Sequence, residues 1–169
     1  MTKKISLREF QEHLAARLAG ADQRSAAGLL GILAGADYWL LDLSDSGEIV
    51  PLTPLTTVPL TKPWFAGIAN IRGKLYSVVD FSAFQGKEAT PQNSSARLLL
   101  IGTRYGNNAA LLVTRMLGLR SVDTLTLAPD DSNATNWARQ SYTDDHQQLW
   151  KKLNVRALLE DDDFMNVGA

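Results

Sequence analysis

WFAGIANIRGKLYSVVDFSAF, residues 64–84, reads as two strands, a tight turn and a short helix. The first strand is expected over 65–71 and the second over 74–80, with Arg72-Gly73 between them. Gly73 can take the positive φ that a short hairpin needs. Ile68, Ala69 and Ile71 on the first strand, and Leu75, Tyr76, Val78 and Val79 on the second, put apolar side chains on both faces. Such strands are predicted to be buried on both sides. Asn70 breaks the pattern and is expected to find hydrogen-bond partners in the fold, because an unpaired buried amide costs about 1–3 kcal/mol. Arg72 cannot be buried unpaired and is expected to project from the turn. Asp80 stands where the helix begins and reads as its N-cap.

Outward from this hairpin the chain continues in short pieces. Ser6 and Glu9 form a capping box, and Leu7, Phe10, Leu14 and Leu18 follow at helical spacing up to Gly20. This first helix packs on its own domain or docks a partner. Strands are expected over 29–33 and 38–43, with a turn at Gly35-Ala36-Asp37 between them. Ser44-Asp45-Ser46-Gly47 makes a turn or short helical piece, Glu48-Ile49-Val50 resumes the strand pattern, and Pro51, Pro54, Pro59 and Pro63 mark an extended connector. After Phe84, residues 85–95 form a loop suited to a subdomain boundary. Strands follow over 97–101 and 109–113 around a turn at 102–107, and 116–122 reads as irregular or extended. A polar loop over 123–136 precedes strands over 137–142 and 147–153, a short helix over 155–159 and an acidic tail.

The two halves share one plan. Residues 29–43 and 98–113 are both strand, glycine turn, strand, while 65–84 and 137–159 are both strand, turn, strand, short helix, at an offset of about 70 residues. Short strands repeated in this way suggest two small antiparallel barrels.

The 169 residues fit one domain or two small subdomains sharing a core, and 45% apolar composition is ample for that core. A formal net charge of −1 without a long basic run argues against nucleic acid as the main partner. The chain has no cysteine, which excludes disulfides and thiolate metal sites. The charged start MTKKISLREFQEHL is unlike a signal peptide, and no apolar run approaches the ~18 residues of a membrane span. The sequence lacks a phosphate loop, a nucleophile elbow and an H-E-x-x-H pair. Its two histidines are His13, on the polar side of the first helix, and His146, in a turn after Asp144-Asp145. That turn reads as solvated, and Asp161, Asp162 and Asp163 read as solvated charge. No catalytic residue, metal ligand or cofactor is expected, and the chain reads as a non-enzyme.

GIANIRGKLYSVVDF, residues 67–81, resembles the signature hairpin of CheW-like domains, the adaptor modules of bacterial chemosensory arrays. Gly67, Ala69, Asn70-Ile71-Arg72-Gly73 and Val78-Val79-Asp80-Phe81 carry the likeness. The preceding VPLTKPWFAG, residues 58–67, resembles the PilI subtype, the adaptor of the pilus-associated Chp system. The resemblance implies a mainly β fold of two SH3-like five-stranded antiparallel barrels sharing a core. It covers residues 26–160, leaving 1–25 as an N-terminal helix and connector and 161–169 as an acidic tail.

It further implies a cytoplasmic, non-catalytic scaffold recruited to membrane-associated arrays. The scaffold holds the tip of a methyl-accepting receptor against the regulatory domain of a CheA-type histidine kinase, a domain resembling this same fold. The pathway implied is control of pilus-dependent twitching, with a flagellar adaptor as the alternative and a small-barrel nucleic-acid module as a remoter one. By the same likeness, receptor and kinase contacts fall on Glu48, Arg72 and Gly73, and Gly67, Asn70 and Asp80 form the structural signature. Around Glu48, Asp45-Ser46-Gly47 departs from the family's more hydrophobic pattern.

Overall fold

The hairpin forms where the alternation placed it, as β5 (Phe65–Ile71) and β6 (Lys74–Asp80), followed by helix α1 (Phe81–Phe84). The computed structural model describes residue 11 and residues 28–101, 105–131 and 133–168. The first helix expected from the sequence lies outside the described residues, as do positions 102–104 of the second glycine turn. Before the hairpin stand β1 (Leu29–Ala34), β2 (Asp37–Asp42), β3 (Ser46–Pro51) and β4 (Leu55–Thr56). After it come β7 (Arg97–Ile101), β8 (Ala109–Val113), β9 (Arg115–Arg120), β10 (Thr126–Leu127), β11 (Ser141–Thr143) and β12 (Leu149–Lys152). Helices α2 (Val155–Leu159) and α3 (Asp162–Met165) close the described chain.

The strands make two six-stranded sheets, ordered β10-β11-β12-β2-β1-β9 and β3-β7-β8-β6-β5-β4. Advancing every strand of the second sheet by six positions reproduces the first. The repeated plan is therefore present, but the halves are interwoven: each sheet takes two strands from one half and four from the other. Four seams join the halves, the antiparallel pairs β1–β9 and β3–β7 and the parallel pairs β2–β12 and β6–β8. This differs from the expected five-stranded, wholly antiparallel units. A parallel pair needs a long crossover, and here residues 81–108 connect β6 to β8 and residues 43–148 lie between β2 and β12.

Three apolar clusters explain why the central strands carry no polar face. Leu99, Ile101, Leu111 and Val113 join Leu30, Ile32, Trp39 and Leu41 in a core shared by both sheets. Alternate residues Leu98, Leu100, Ala110 and Leu112 pack with Ala69, Ile71, Tyr76 and Val78 on the other side of their sheet. A smaller cluster around Leu29, Leu40 and Trp150 does the same for the first sheet. Burial on both faces thus holds at Val78 and Val79 but not at the hairpin tip, where Leu75 is 60% exposed and Asn70 faces solvent. The tip extends past the neighbouring strands, so nothing covers its second face.

Three readings of the second half change. Residues 115–120 are an edge strand with a bulge at Leu117, extended and irregular as expected, whereas the polar loop after them holds a 3-10 turn and β10. Trp137 is not in a strand: it sits in a 3-10 turn, Asn136–Ala138, and stacks on Trp39 at 5.8 Å between ring centroids. The core claims this indole from a short helical turn, leaving only Ser141–Thr143 to pair with β12. The expected acidic tail also folds back. Asp161 caps α3 by accepting from the Phe164 amide at 3.1 Å. Phe164 is buried edge-to-face against Phe84 at 5.5 Å. Beyond it, Val167 accepts from the Lys62 amide at 2.9 Å and Gly168 bridges Thr61. The charges that suggested a solvated tail thus flank one aromatic side chain whose burial decides the segment's position.

Candidate functional site at the hairpin tip

Arg72 and Gly73 both have positive φ, 52° and 84°, the combination that matches a two-residue turn to the twist of its strands. A non-glycine residue in this region is costly, and here Asn70 helps to hold it. Its side-chain oxygen accepts from the Gly73 amide at 2.9 Å, so the expected partner of Asn70 is the turn itself rather than a buried group. A Cβ on Gly73 would meet nothing within 4 Å, so it is the backbone angle, not space, that calls for glycine there. The result is a rigid turn that directs Arg72 outward.

Glu48 reaches the same place from β3. Ser46 pairs with Ile101 and Ile49 with Leu99, so β3 carries one residue more than β7 over this interval, a β-bulge at Gly47-Glu48. Bulges re-aim side chains, and this one turns the carboxylate to the Arg72 guanidinium, which donates a hydrogen bond to it. On a flat sheet three strand spacings, about 14 Å, separate β3 from β6. The contact is met because the sheet bends and brings its two sides together. The side chains stay 69% and 44% exposed, so the pair is open to solvent. The hydrogen bond and the negative charge of Glu48 raise the Arg72 pKa further above its ordinary value, which keeps the guanidinium charged. An exposed pair of this kind adds little to stability. It places one cation and one anion side by side at the surface.

The other signature residues lie elsewhere and hold the hairpin in shape. Gly67 (φ 132°) sits in a second bulge, between the Phe65–Val79 and Gly67–Val78 pairs. A Cβ there would lie 2.5 Å from the Thr56 carbonyl oxygen, so only glycine lets β4 approach. Asp80 is buried and accepts from the Ala83 amide at 3.3 Å, as an N-cap, and from the amide and hydroxyl of Thr90, both at 2.7 Å. It therefore also ties down the loop after α1, a role the sequence did not reveal.

A cleft of about 650 Å³ lies in a different place, walled by Trp39, Trp64, Phe84 and Trp137. Lys87 and Lys151 at its rim both pair with Asp37. It shares no residue with the hairpin tip. The Asp144 turn is organised by its own carboxylate, which accepts from Trp150 Nε1 at 3.0 Å and from the His146 and Gln148 amides at 2.9 Å. Those bonds, the Trp150 one foremost, lower the Asp144 pKa. No group of three metal-ligating side chains occurs among the described residues. None of their helices is long and apolar enough to cross a membrane.

A fold of two interwoven sheets with this hairpin defines a family. The CheW-like domain profile matches residues 28–163, and the chain belongs to that family. Among curated proteins, Protein PilI of Pseudomonas aeruginosa is 25% identical over 143 residues, covering 82% of this chain and 79% of the relative. Among solved structures, the scaffolding protein TtCheW from Thermoanaerobacter tengcongensis superposes with a TM-score of 0.67 at 19% identity. That match covers 82% of this chain and 95% of the other.

Proposed function

We propose that this chain is a non-catalytic chemosensory adaptor coupling a receptor tip to the regulatory domain of a CheA-type histidine kinase, and that its pathway controls pilus-dependent twitching. The observation that carries the reading is the Glu48–Arg72 pair, held in solvent by a bulge on one strand and a strained turn on another. The fold has no use for so much geometry at an ion pair of little energetic worth. At an interface the same Arg, once desolvated against a partner, is of the type that forms hot spots.

The mechanism is linkage. Receptor conformation biases the kinase only while one body binds both, and the coupling free energy equals the difference in binding between receptor states. On this reading each bent sheet is an SH3-like barrel, the protein is cytoplasmic, and it joins membrane-associated arrays through its partners. The pilus assignment is supported by the likeness to PilI and by the VPLTKPWFAG segment.

The test has two parts. Wild-type protein is expected to co-sediment with receptor and kinase together. A clean deletion is expected to impair twitching while swimming chemotaxis survives, with twitching restored by complementation. Normal twitching with lost swimming bias would reassign the adaptor to a flagellar array. Absence of both defects in a strain competent for both would remove the pathway assignment.

A further inference from the structure

The aromatic cleft takes no part in the hairpin tip, and its volume of about 650 Å³ falls in the range of small-molecule sites. Trp39 and Trp137, 1% and 7% exposed, stack on each other in its wall, and the half-buried Trp64 and Phe84 complete it. Trp39 Nε1 is buried and has no hydrogen-bond partner. A buried donor left unmade is expensive, and in a native fold each one needs a reason. The other fully buried indole, Trp150, meets the requirement by donating to Asp144. The charges around the cleft point the same way. One carboxylate, Asp37, serves two ammoniums, Lys87 and Lys151. Among the described residues Lys62 and Arg139 form no ion pair, and Lys62 lies over the Trp64 ring at 5.8 Å instead. Of the acids lining the cleft, Asp161 is taken up as the α3 cap and Asp131 accepts from the Asn133 amide at 3.0 Å. Asp163 apart, the unmet groups are donors and cations.

We propose that this cleft binds a flat aromatic molecule carrying one carboxylate. The ring lies against the indoles, and the carboxylate accepts from Trp39 Nε1 and draws on the unpaired cations at the rim. Water does not reach that nitrogen. Lys151, whose ammonium lies over the Trp39 ring at 5.4 Å, is the flexible side chain that gives way to admit the acid. A cationic ligand is disfavoured, because Lys62 and Lys151 already occupy faces of Trp64 and Trp39. A phosphate ester is disfavoured as well. Lys62, Lys87, Lys151 and Arg139 are balanced in number by Asp37, Asp131, Asp161 and Asp163, which leaves no surplus for a double charge.

This site stands apart from the adaptor reading, and its test needs neither receptor nor kinase. The probe is 2-naphthoate, titrated into the full ¹⁵N-labelled chain, and the readout is the four tryptophan indole N–H resonances. The Trp39 signal is expected to move downfield as it gains an acceptor, saturating together with shifts at Trp64 and Trp137. Trp150, bonded to Asp144, should stay in place. The ammonium analogue 2-naphthylmethylammonium is expected to bind at least about tenfold more weakly. Lys62→Met keeps the stem and removes the charge, and should hold the melting temperature while weakening 2-naphthoate about threefold or more. If that variant melts early, Arg139→Gln, at an exposed position, carries the same charge test. Affinity unchanged by loss of charge, or equal affinity for the ammonium probe, would overturn the acid. Saturable binding that leaves the Trp39 resonance unmoved would overturn the site. Unsaturated drift of all four indoles, or no shift at millimolar probe, would do the same. Tighter binding of AMP than of 2-naphthoate would overturn the carboxylate and give the cleft to a nucleotide.

Discussion

At the scale of single residues, the proposed contact at the hairpin tip can be tested apart from stability. Arg72 is exposed and its partner is exposed, so Arg72→Ala is expected to leave the melting temperature nearly unchanged. The same variant should weaken co-sedimentation with receptor and kinase by at least about tenfold. A large thermal loss would instead make the guanidinium structural. Asp144 behaves in the opposite sense, as a carboxylate used by its own turn. Its folded pKa lies below the unfolded value of about 3.9, so its contribution is complete above that pH and is lost as pH falls through the folded value. Asp144→Asn should therefore melt below wild type at neutral pH, with the gap closing below about pH 4. Paired thermal melts from pH 7 to pH 2.5 would show this, and a gap that stayed constant would mean the charge plays no part.

Among the elements, the folded-back tail is the most consequential departure from what the sequence suggested. Phe164→Ala removes a buried ring and should cost about 3 kcal/mol, read by denaturant titration. A cost under about 1 kcal/mol would mean that α3 is not held by that contact. Local signals explain which elements were legible. Apolar stretches on either side of Arg72-Gly73 place β5 and β6 to the residue, β7 and β8 follow in the same way, and α2 falls on its expected range. The Trp137 segment misled because aromatic residues at its two ends, Trp137 and Tyr142, suit a strand, whereas the core needed that indole's volume beside Trp39 and Phe81. The tail misled because four acids in a row outweighed one phenylalanine in any composition-based reading. At the site, the position of Arg72 was legible from its turn. Its pairing with Glu48 was not, because partner choice across a bent sheet leaves no periodic trace. Gly47 inside a strand was the available hint of the bulge.

Across the whole molecule, the interwoven sheets make the two halves interdependent. The 85–95 loop looked like a boundary, yet a cut there would leave β1–β2 without β9 and β12, and β7–β8 without β3 and β6. Fragments 1–91 and 92–169 are each expected to lack a cooperative urea transition, and to recover one when refolded together as a one-to-one complex. A cooperative transition from either fragment alone would show that a half is self-sufficient. The same interweaving bears on synthesis. About 110 residues separate β2 from its parallel neighbour β12. At ribosomal rates of about 5–20 residues per second, the exposed edge of β2 waits roughly 5–20 s for its mate. During that interval its apolar side chains and open backbone are a target for other nascent chains. Chaperone demand and yield in the cell are thus set less by the final stability of this protein than by the order in which its strands leave the tunnel.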